Sequence, residues 1–229
     1  MGIIDIKNLH KVYTDTKIPV KAVNGIDLSF QEGEFTAIVG PSGSGKTTFL
    51  NMVGGLDTPT EGEIIIDGTN ISHLKSRQLI DYRLNHIGFV FQAYNLIPVL
   101  TAIENVAFIM QLQGKSKKVR NKRAKELLDA VGIGDKINNR PGDLSGGQQQ
   151  RVSVARALAS KPKFILADEP TANLDSKSTS DLLDMMLKMN KESKITFIFS
   201  THDQRVMDKA RRIITIDDGL VVKDEKVDK

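Results

Sequence analysis

At 229 residues, with 40% hydrophobic and 26% charged side chains, the chain can bury a proper core, and its composition excludes disorder. No apolar run approaches the roughly 18 residues that span a bilayer, and the absence of cysteine excludes disulfides and thiolate metal sites. The formal charge of +4 is uneven: Lys115, Lys117, Lys118, Arg120, Lys122, Arg123 and Lys125 cluster without an acidic residue, leaving 25 basic against 28 acidic residues elsewhere.

A basic cluster can meet nucleic acid or anionic headgroups. Here Glu126-Leu127-Leu128-Asp129-Ala130-Val131 continues the same helical pattern, so the cluster reads as a solvated helix face, and no nucleic-acid partner is expected. The start, Met1-Gly2-Ile3-Ile4-Asp5, lacks the basic flank and long apolar stretch of a secretory signal. The expectation is a chain that stays on the side of the membrane where it is made.

In chain order, strand patterns occupy Ile3–Leu9, Ala22–Phe30, Phe35–Val39, Glu63–Asp67, Ile87–Phe91, Phe164–Ala167, Ile195–Ser200, Arg212–Asp217 and Leu220–Lys223. Phe35–Val39, Phe164–Ala167 and Ile195–Phe199 are apolar on both faces, which a parallel sheet covered by helices requires. The first and fourth segments alternate more and read as antiparallel strands at one edge. Helical patterns fall at Lys46–Gly54, Leu74–Arg83, Ile103–Leu112, Lys117–Val131, Gly147–Ala159, Ser176–Asn190 and Asp203–Lys209. Strand–helix alternation stops between Gln92 and Leu158 and resumes at Phe164, so a helical subdomain is inserted into an α/β core.

Gly40-Pro41-Ser42-Gly43-Ser44-Gly45-Lys46-Thr47 follows the apolar strand Phe35–Val39 and opens a helix, the context in which a phosphate-binding loop is credible. Glycines let backbone N–H groups turn toward phosphate oxygens, and the helix N-terminus adds a favourable dipole. Lys46 then reaches the β- and γ-phosphates and the Thr47 hydroxyl ligates Mg²⁺. A plain glycine-rich turn explains neither Lys46 nor Thr47. Asp168 and Glu169 end a buried strand, where an unused acidic pair is expensive. Asp168 is expected in the Mg²⁺ shell and Glu169 at the water attacking the γ-phosphate. A helix-cap cluster is the alternative, since Pro170 and Thr171 follow.

Ser145-Gly146-Gly147-Gln148 opens the helix that runs to Ala159. Ser145 and Gln148 have the capping-box spacing, but two consecutive glycines weaken a helix start. A phosphate approaching the backbone closely explains them better.

With these elements the sequence resembles the ATP-binding subunits of ABC transporters over nearly its whole length, and Leu144–Gln148 followed by Gln149-Gln150-Arg151 is similar to that family's signature. The resemblance implies an α/β fold: a RecA-like P-loop NTPase core with a mainly parallel sheet, an N-terminal antiparallel β edge and an inserted α-helical subdomain. One domain is expected over residues 1–229, with 1–91 and 160–229 as core and 92–159 as the helical part. It further implies a head-to-tail dimer with two composite ATP sites, in which Ser145, Gly146, Gly147 and Gln148 of one copy close on the ATP held by the other. Tyr13 matches the aromatic residue that stacks on adenine, and Thr48 belongs to the same nucleotide-binding set. Gln92 matches the glutamine that senses Mg²⁺ and the attacking water. Ala172-Asn173-Leu174-Asp175 matches the loop crossing the dimer interface, which brings Asp175 to the nucleotide. His202 matches the histidine contacting the γ-phosphate, whereas His10, His73 and His86 match nothing.

The stretch Gly88–Pro98, continuing through Leu100–Val106, together with Gln148–Ser153 and Leu166–Thr171, is similar to the lipoprotein-release and macrolide-export branch. Ala172 departs from it, since branch members usually carry glycine there. The branch implies an ATPase at the cytoplasmic face of the cell membrane, driving a separate integral membrane permease that docks near Tyr94–Val106. Leu96, Ile97, Pro98 and Leu100 leave more apolar surface than one helix face buries. A soluble ABC-type ATPase acting on nucleic acid or ribosomes is the alternative, supported only by the basic helix. A nucleotide kinase leaves Ser145–Gln148 unexplained.

Overall fold

A computed structural model describes residues 2–14 and 18–227. The outermost bounds of the single-domain expectation, residues 1 and 229, lie outside the described residues. Two sheets form the frame. Strands β1 (Ile4–Tyr13), β2 (Val20–Phe30), β4 (Glu61–Ile66) and β5 (Thr69–Asn70) make an antiparallel sheet in the order β2-β1-β4-β5. Strands β3 (Phe35–Val39), β6 (Ile87–Val90), β7 (Phe164–Asp168), β8 (Thr196–Ser200), β9 (Arg212–Asp217) and β10 (Leu220–Lys226) make the second sheet, in the order β10-β9-β3-β8-β7-β6. All its pairings are parallel except the terminal β9–β10 hairpin. The antiparallel strands expected at one edge thus form a sheet of their own.

The doubly apolar strands are covered on both sides, as their pattern required. On one face Phe35, Phe197, Phe199, Ile165 and Ala167 join the helices α3 (Ala102–Leu112), α4 (Lys117–Ala130), α5 (Gly146–Ala159) and α6 (Ser176–Ser193) in one core. The Phe35 and Phe199 ring centroids lie 4.6 Å apart there, a separation typical of packed aromatic pairs. On the other face Ile38, Phe164, Leu166 and Ile198 meet Phe49, Leu50, Met52 and Val53 of α1 (Lys46–Val53) and the inward side of the antiparallel sheet. Helix α1 is therefore wedged between the sheets, which fixes the loop preceding it. Helix α2 (Ser76–His86) leads into β6, and α7 (Gln204–Lys209) leads toward β9. No strand occurs between β6 and β7, in agreement with the helical stretch expected there.

One element differs from the sequence reading in a way that matters for the site. β1 continues past Leu9 to Tyr13, and β2 begins at Val20 and not at Ala22. Irregular pairing at Leu9 and between Lys11 and Val12 lets the ladder continue to the Tyr13–Val20 pair. Such breaks erase the period-2 signal without ending the strand.

Arg212, nearly buried, ties the edge of the parallel sheet together. Its Nε and Nη2 donate to the two Asp224 carboxylate oxygens at 2.8 and 2.7 Å, and Nη1 donates to Glu34 Oε2 at 3.0 Å and Ser29 O at 2.7 Å. The Arg212 hydrogen bonds hold the Asp224 carboxyl below its ordinary range, against the opposing effect of burial. A depressed folded-state pKa gives stability that is present above the unfolded value and lost as pH falls through the folded one. Asp224→Asn is expected to lower stability at pH 7 by about 1 kcal/mol, since part of the side chain remains in solvent. In thermal melts across pH, the gap between parent and variant should close below about pH 4. A gap independent of pH would contradict the charge-based account.

Candidate functional site

The loop between β3 and α1 is shaped by three glycines, each with positive φ: 149° at Gly40, 81° at Gly43 and 101° at Gly45. Two of them are also required by space. A Cβ on Gly40 would stand 1.9 Å from Ile216 O, and one on Gly45 would stand 2.2 Å from Ala22 O. At Gly43 a Cβ would meet nothing within 4 Å, so conformation alone demands glycine there. The nearly buried Lys46 folds back over the loop, its Nζ donating to Gly40 O at 2.8 Å and Pro41 O at 2.7 Å. Ser44 is buried with an unpartnered hydroxyl, and its carbonyl accepts from Gly219 N at 3.0 Å. The β9–β10 turn thereby braces the loop.

The loop floors a cleft of about 750 Å³. Tyr13 and Val20–Ala22 form one wall, while Gln92, Glu169, Ser200 and His202 stand on another. Of the expected site residues, the cleft gathers Tyr13, Gly40, Pro41, Ser42, Gly43, Gly45, Lys46, Thr47, Thr48, Gln92, Glu169 and His202. Asp168 joins them through the Thr47 hydroxyl, which donates to its Oδ1 at 3.2 Å. Val20, Lys21, Ala22 and Ser200 were missed. The first three become visible only once Tyr13 and Val20 are seen to pair; Ser200 simply ends an apolar strand and carries no local signal.

Glu169 sits just past β7 with φ 46°, a left-handed conformation strained for a glutamate. Its N–H donates to Ser200 O at 2.9 Å, and Ala172 N donates to Glu169 O at 3.2 Å, so strand and turn fix the backbone from both sides. One carboxylate oxygen accepts from His202 Nδ1 at 2.8 Å. The other is buried and unpartnered, as is the Ser200 hydroxyl. Buried polar atoms without partners are costly unless something else satisfies them. Tyr13 donates its hydroxyl to Asp57 Oδ2 at 2.8 Å, with the Lys11 ammonium 4.9 Å from its ring centroid. Burial is the largest effect on the phenol and raises its pKa. The Tyr13 ring is held with one edge anchored.

The remaining expected residues collect elsewhere. Ser145 caps α5 in a reciprocal box: Gln148 N donates to Ser145 Oγ at 3.3 Å, and Ser145 N donates to Gln148 Oε1 at 2.9 Å. Its two glycines also have neighbours in their own chain. A Cβ on Gly146 would lie 2.8 Å from the Tyr94 hydroxyl, and one on Gly147 would lie 3.1 Å from Ser178 Oγ. Close packing therefore accounts for part of the glycine requirement that the sequence assigned wholly to a phosphate. Asp175 caps α6, accepting from Ser178 N at 2.9 Å and Ser178 Oγ at 2.7 Å; these bonds lower its pKa. Ser178 thus brings Asp175 beside Gly147, and neither the signature nor Asp175 lines the cleft. The expected site residues thus fall into two separate groups within one chain.

The ABC transporter family model matches residues 23–172. The chain belongs to the ABC transporter family. It is 46% identical to an uncharacterized ABC transporter ATP-binding protein of Thermotoga maritima over 219 residues, covering 96% of this chain and 93% of that protein. Against the macrolide export ATP-binding/permease protein MacB of Mannheimia succiniciproducens it is 46% identical over 98% of its length, but it spans only 35% of MacB. A dimeric post-hydrolysis structure of the ATP-binding cassette MJ0796, bound to ADP and Pi, superposes with a TM-score of 0.91 at 43% identity and covers 99% of both chains. MJ0796 comes from Methanocaldococcus jannaschii. As an ABC ATPase the chain binds and hydrolyses ATP, and its cleft has the volume and anion-cradling backbone for that substrate.

The glycine geometry separates two kinds of variant. Gly43→Ala is expected to fold with a loss of about 1–2 kcal/mol from the left-handed backbone. Gly40→Ala, whose methyl collides with Ile216 O, should lose at least about 3 kcal/mol. Melting temperatures of the two proteins decide the matter; equal losses would mean that the loop backbone adapts freely.

Proposed function

We propose that each chain holds ATP in the cleft, that a second copy closes the site head to tail, and that closure drives a separate membrane permease of the lipoprotein-release or macrolide-export type. The observation that supports this reading is the separation of the two groups of residues. The cleft holds a phosphate loop without the signature, and the partly exposed signature has no phosphate loop beside it. Closing one chain's cleft with another chain's α5 N-terminus satisfies both.

Residue roles follow from position. Lys46 swings from its loop carbonyls to the β- and γ-phosphates, and the Tyr13 ring, anchored by Asp57, offers a face to the base. The Thr47 and Asp168 oxygens form a hard ligand pair suited to Mg²⁺, which when bound supplies charge neutralisation at the β- and γ-phosphates. Glu169, strained and hydrogen-bonded to His202 at the cleft, accepts a proton from the attacking water. His202 orients that carboxylate and reaches the γ-phosphate, and Gln92 positions the water. Gly146 and Gly147 in the first turn of α5 offer N–H groups that lack intrahelical acceptors, and Asp175 approaches the partner's nucleotide beside them.

The helical part, residues 92–159, moves as a subdomain on the core. Beside it an apolar groove of about 560 Å³, lined by Ile80, Leu84, Ile97, Phe108, Ile109 and Leu112, receives a cytoplasmic segment of the permease. Among the described residues no helix is long and apolar enough to cross a membrane. Attachment through this groove holds the chain at the cytoplasmic face.

Glu169→Gln should bind ATP, hydrolyse it at least about a hundredfold more slowly and accumulate as a dimer in size-exclusion chromatography. Ser145→Arg should abolish that ATP-dependent dimer; persistence of the dimer refutes the shared pocket. Leu112→Glu should leave ATP turnover of the isolated chain intact while removing the integral membrane protein that co-purifies from native membranes. Undiminished co-purification refutes the groove as the docking site.

A further inference from the structure

One short segment of chain borders both the nucleotide cleft and the apolar groove. Gln92 faces the first, Asn95 and Ile97 border the second, and the segment between them is short. Tyr94 and Asn95 both carry left-handed backbone, with φ 57° and 49°. Asparagine tolerates this conformation singly, but a tyrosine and an asparagine in succession are strained and must be held.

The holding group is Arg156, in the second half of α5. Its Nη2 donates to Tyr94 O at 2.8 Å and its Nη1 donates to Asn95 O. A planar guanidinium fork suits two successive carbonyls turned to the same side; an ammonium, as a point charge, cannot bridge them in the same way. Arg156 has no carboxylate partner among the described residues, and burial lowers its pKa. Arg156 is half-buried, and both protein acceptors its guanidinium finds are carbonyls of this strained turn, so its role lies in the backbone it fixes. From the other side, Asn173 Nδ2 donates to Gln92 O at 3.0 Å. The backbone carrying Gln92 is thus pinned at both ends, by α5 and by the loop after Glu169. Arg156 also borders the groove.

We infer that Arg156 is a positioning residue for ATP hydrolysis: it clamps Tyr94 and Asn95 in left-handed form and thereby sets where Gln92 stands in the cleft. This rests on the reading of Gln92 as a residue at the reacting phosphate.

The test is steady-state ATP turnover and ATP affinity of the full chain for Arg156→Lys, Gln92→Ala, Asn95→Gly and the doubles with Arg156→Lys. Arg156→Lys should lower kcat about tenfold while KM for ATP moves less than about twofold. Added to Gln92→Ala it should lower kcat little further, because both act through one group. Asn95→Gly adopts positive φ without strain, so it should turn over within about twofold of the parent and reduce the Arg156→Lys loss to about threefold or less. Unchanged kcat in Arg156→Lys, loss of ATP affinity or folding together with kcat, or full additivity in either double overturns the clamp. Normal hydrolysis by Gln92→Ala overturns both the clamp and the reading beneath it. A slow Gln92→Ala beside a normal Arg156→Lys overturns the clamp alone.

Discussion

Backbone conformation at three closely spaced glycines, Gly40, Gly43 and Gly45, governs where everything else in the cleft stands. An anion cradle built from N–H groups needs the chain to turn inward repeatedly, and L-residues with a Cβ resist the positive φ that such turning requires. Gly40 and Gly45 additionally press against Ile216 O and Ala22 O, so contacts with β9 and β2 set the loop. The wedge of α1 between the two sheets then holds the helix axis that points into the cleft. Local freedom at the glycines and rigidity of the surroundings are both needed. A flexible loop without those contacts would lose its preorganisation for phosphate.

The loops around the cleft are joined by a small number of specific bonds. Thr171 donates its hydroxyl to Asp203 Oδ2 at 3.0 Å, linking the segment after Glu169 to the start of α7 beside His202. Gln150, fully buried, donates to Pro170 O at 2.8 Å and links the same segment to α5. Asn173 reaches Gln92, and Arg156 reaches Tyr94 and Asn95. Nucleotide cleft, signature helix and apolar groove are therefore neighbours through hydrogen bonds and not merely through packing. Bonds of this kind have two discrete arrangements, made or broken, which suits a machine that alternates between closed and open states.

Much of this was legible in the chain. The phosphate loop carries its own local logic: an apolar strand, spaced glycines, then Lys46 and Thr47 opening a helix. The doubly apolar patterns of Phe35–Val39 and Phe164–Ala167 announced strands buried on both faces, and they are. The reach of β1 to Tyr13 was not legible, because irregular pairing broke the alternation near Leu9 and Val12. The cleft wall at Val20–Ala22 was hidden for the same reason. The glycines of the signature were read as room for phosphate alone, and Tyr94 and Ser178 turn out to occupy part of that need.

Taken alone, the sequence settled what depends on neighbours along the chain: which segments are strands or helices, which loop cradles an anion, and which family these motifs belong to. Only the tertiary structure decided what depends on residues far apart. It parted the cleft from the signature, set Asp175 beside Gly147 through Ser178, and joined His202 to Glu169. It also turned Arg156 toward two strained carbonyls. Periodicity and turn chemistry are short-range properties, whereas the meeting of distant side chains follows from how sheets and helices stack, which no local pattern encodes.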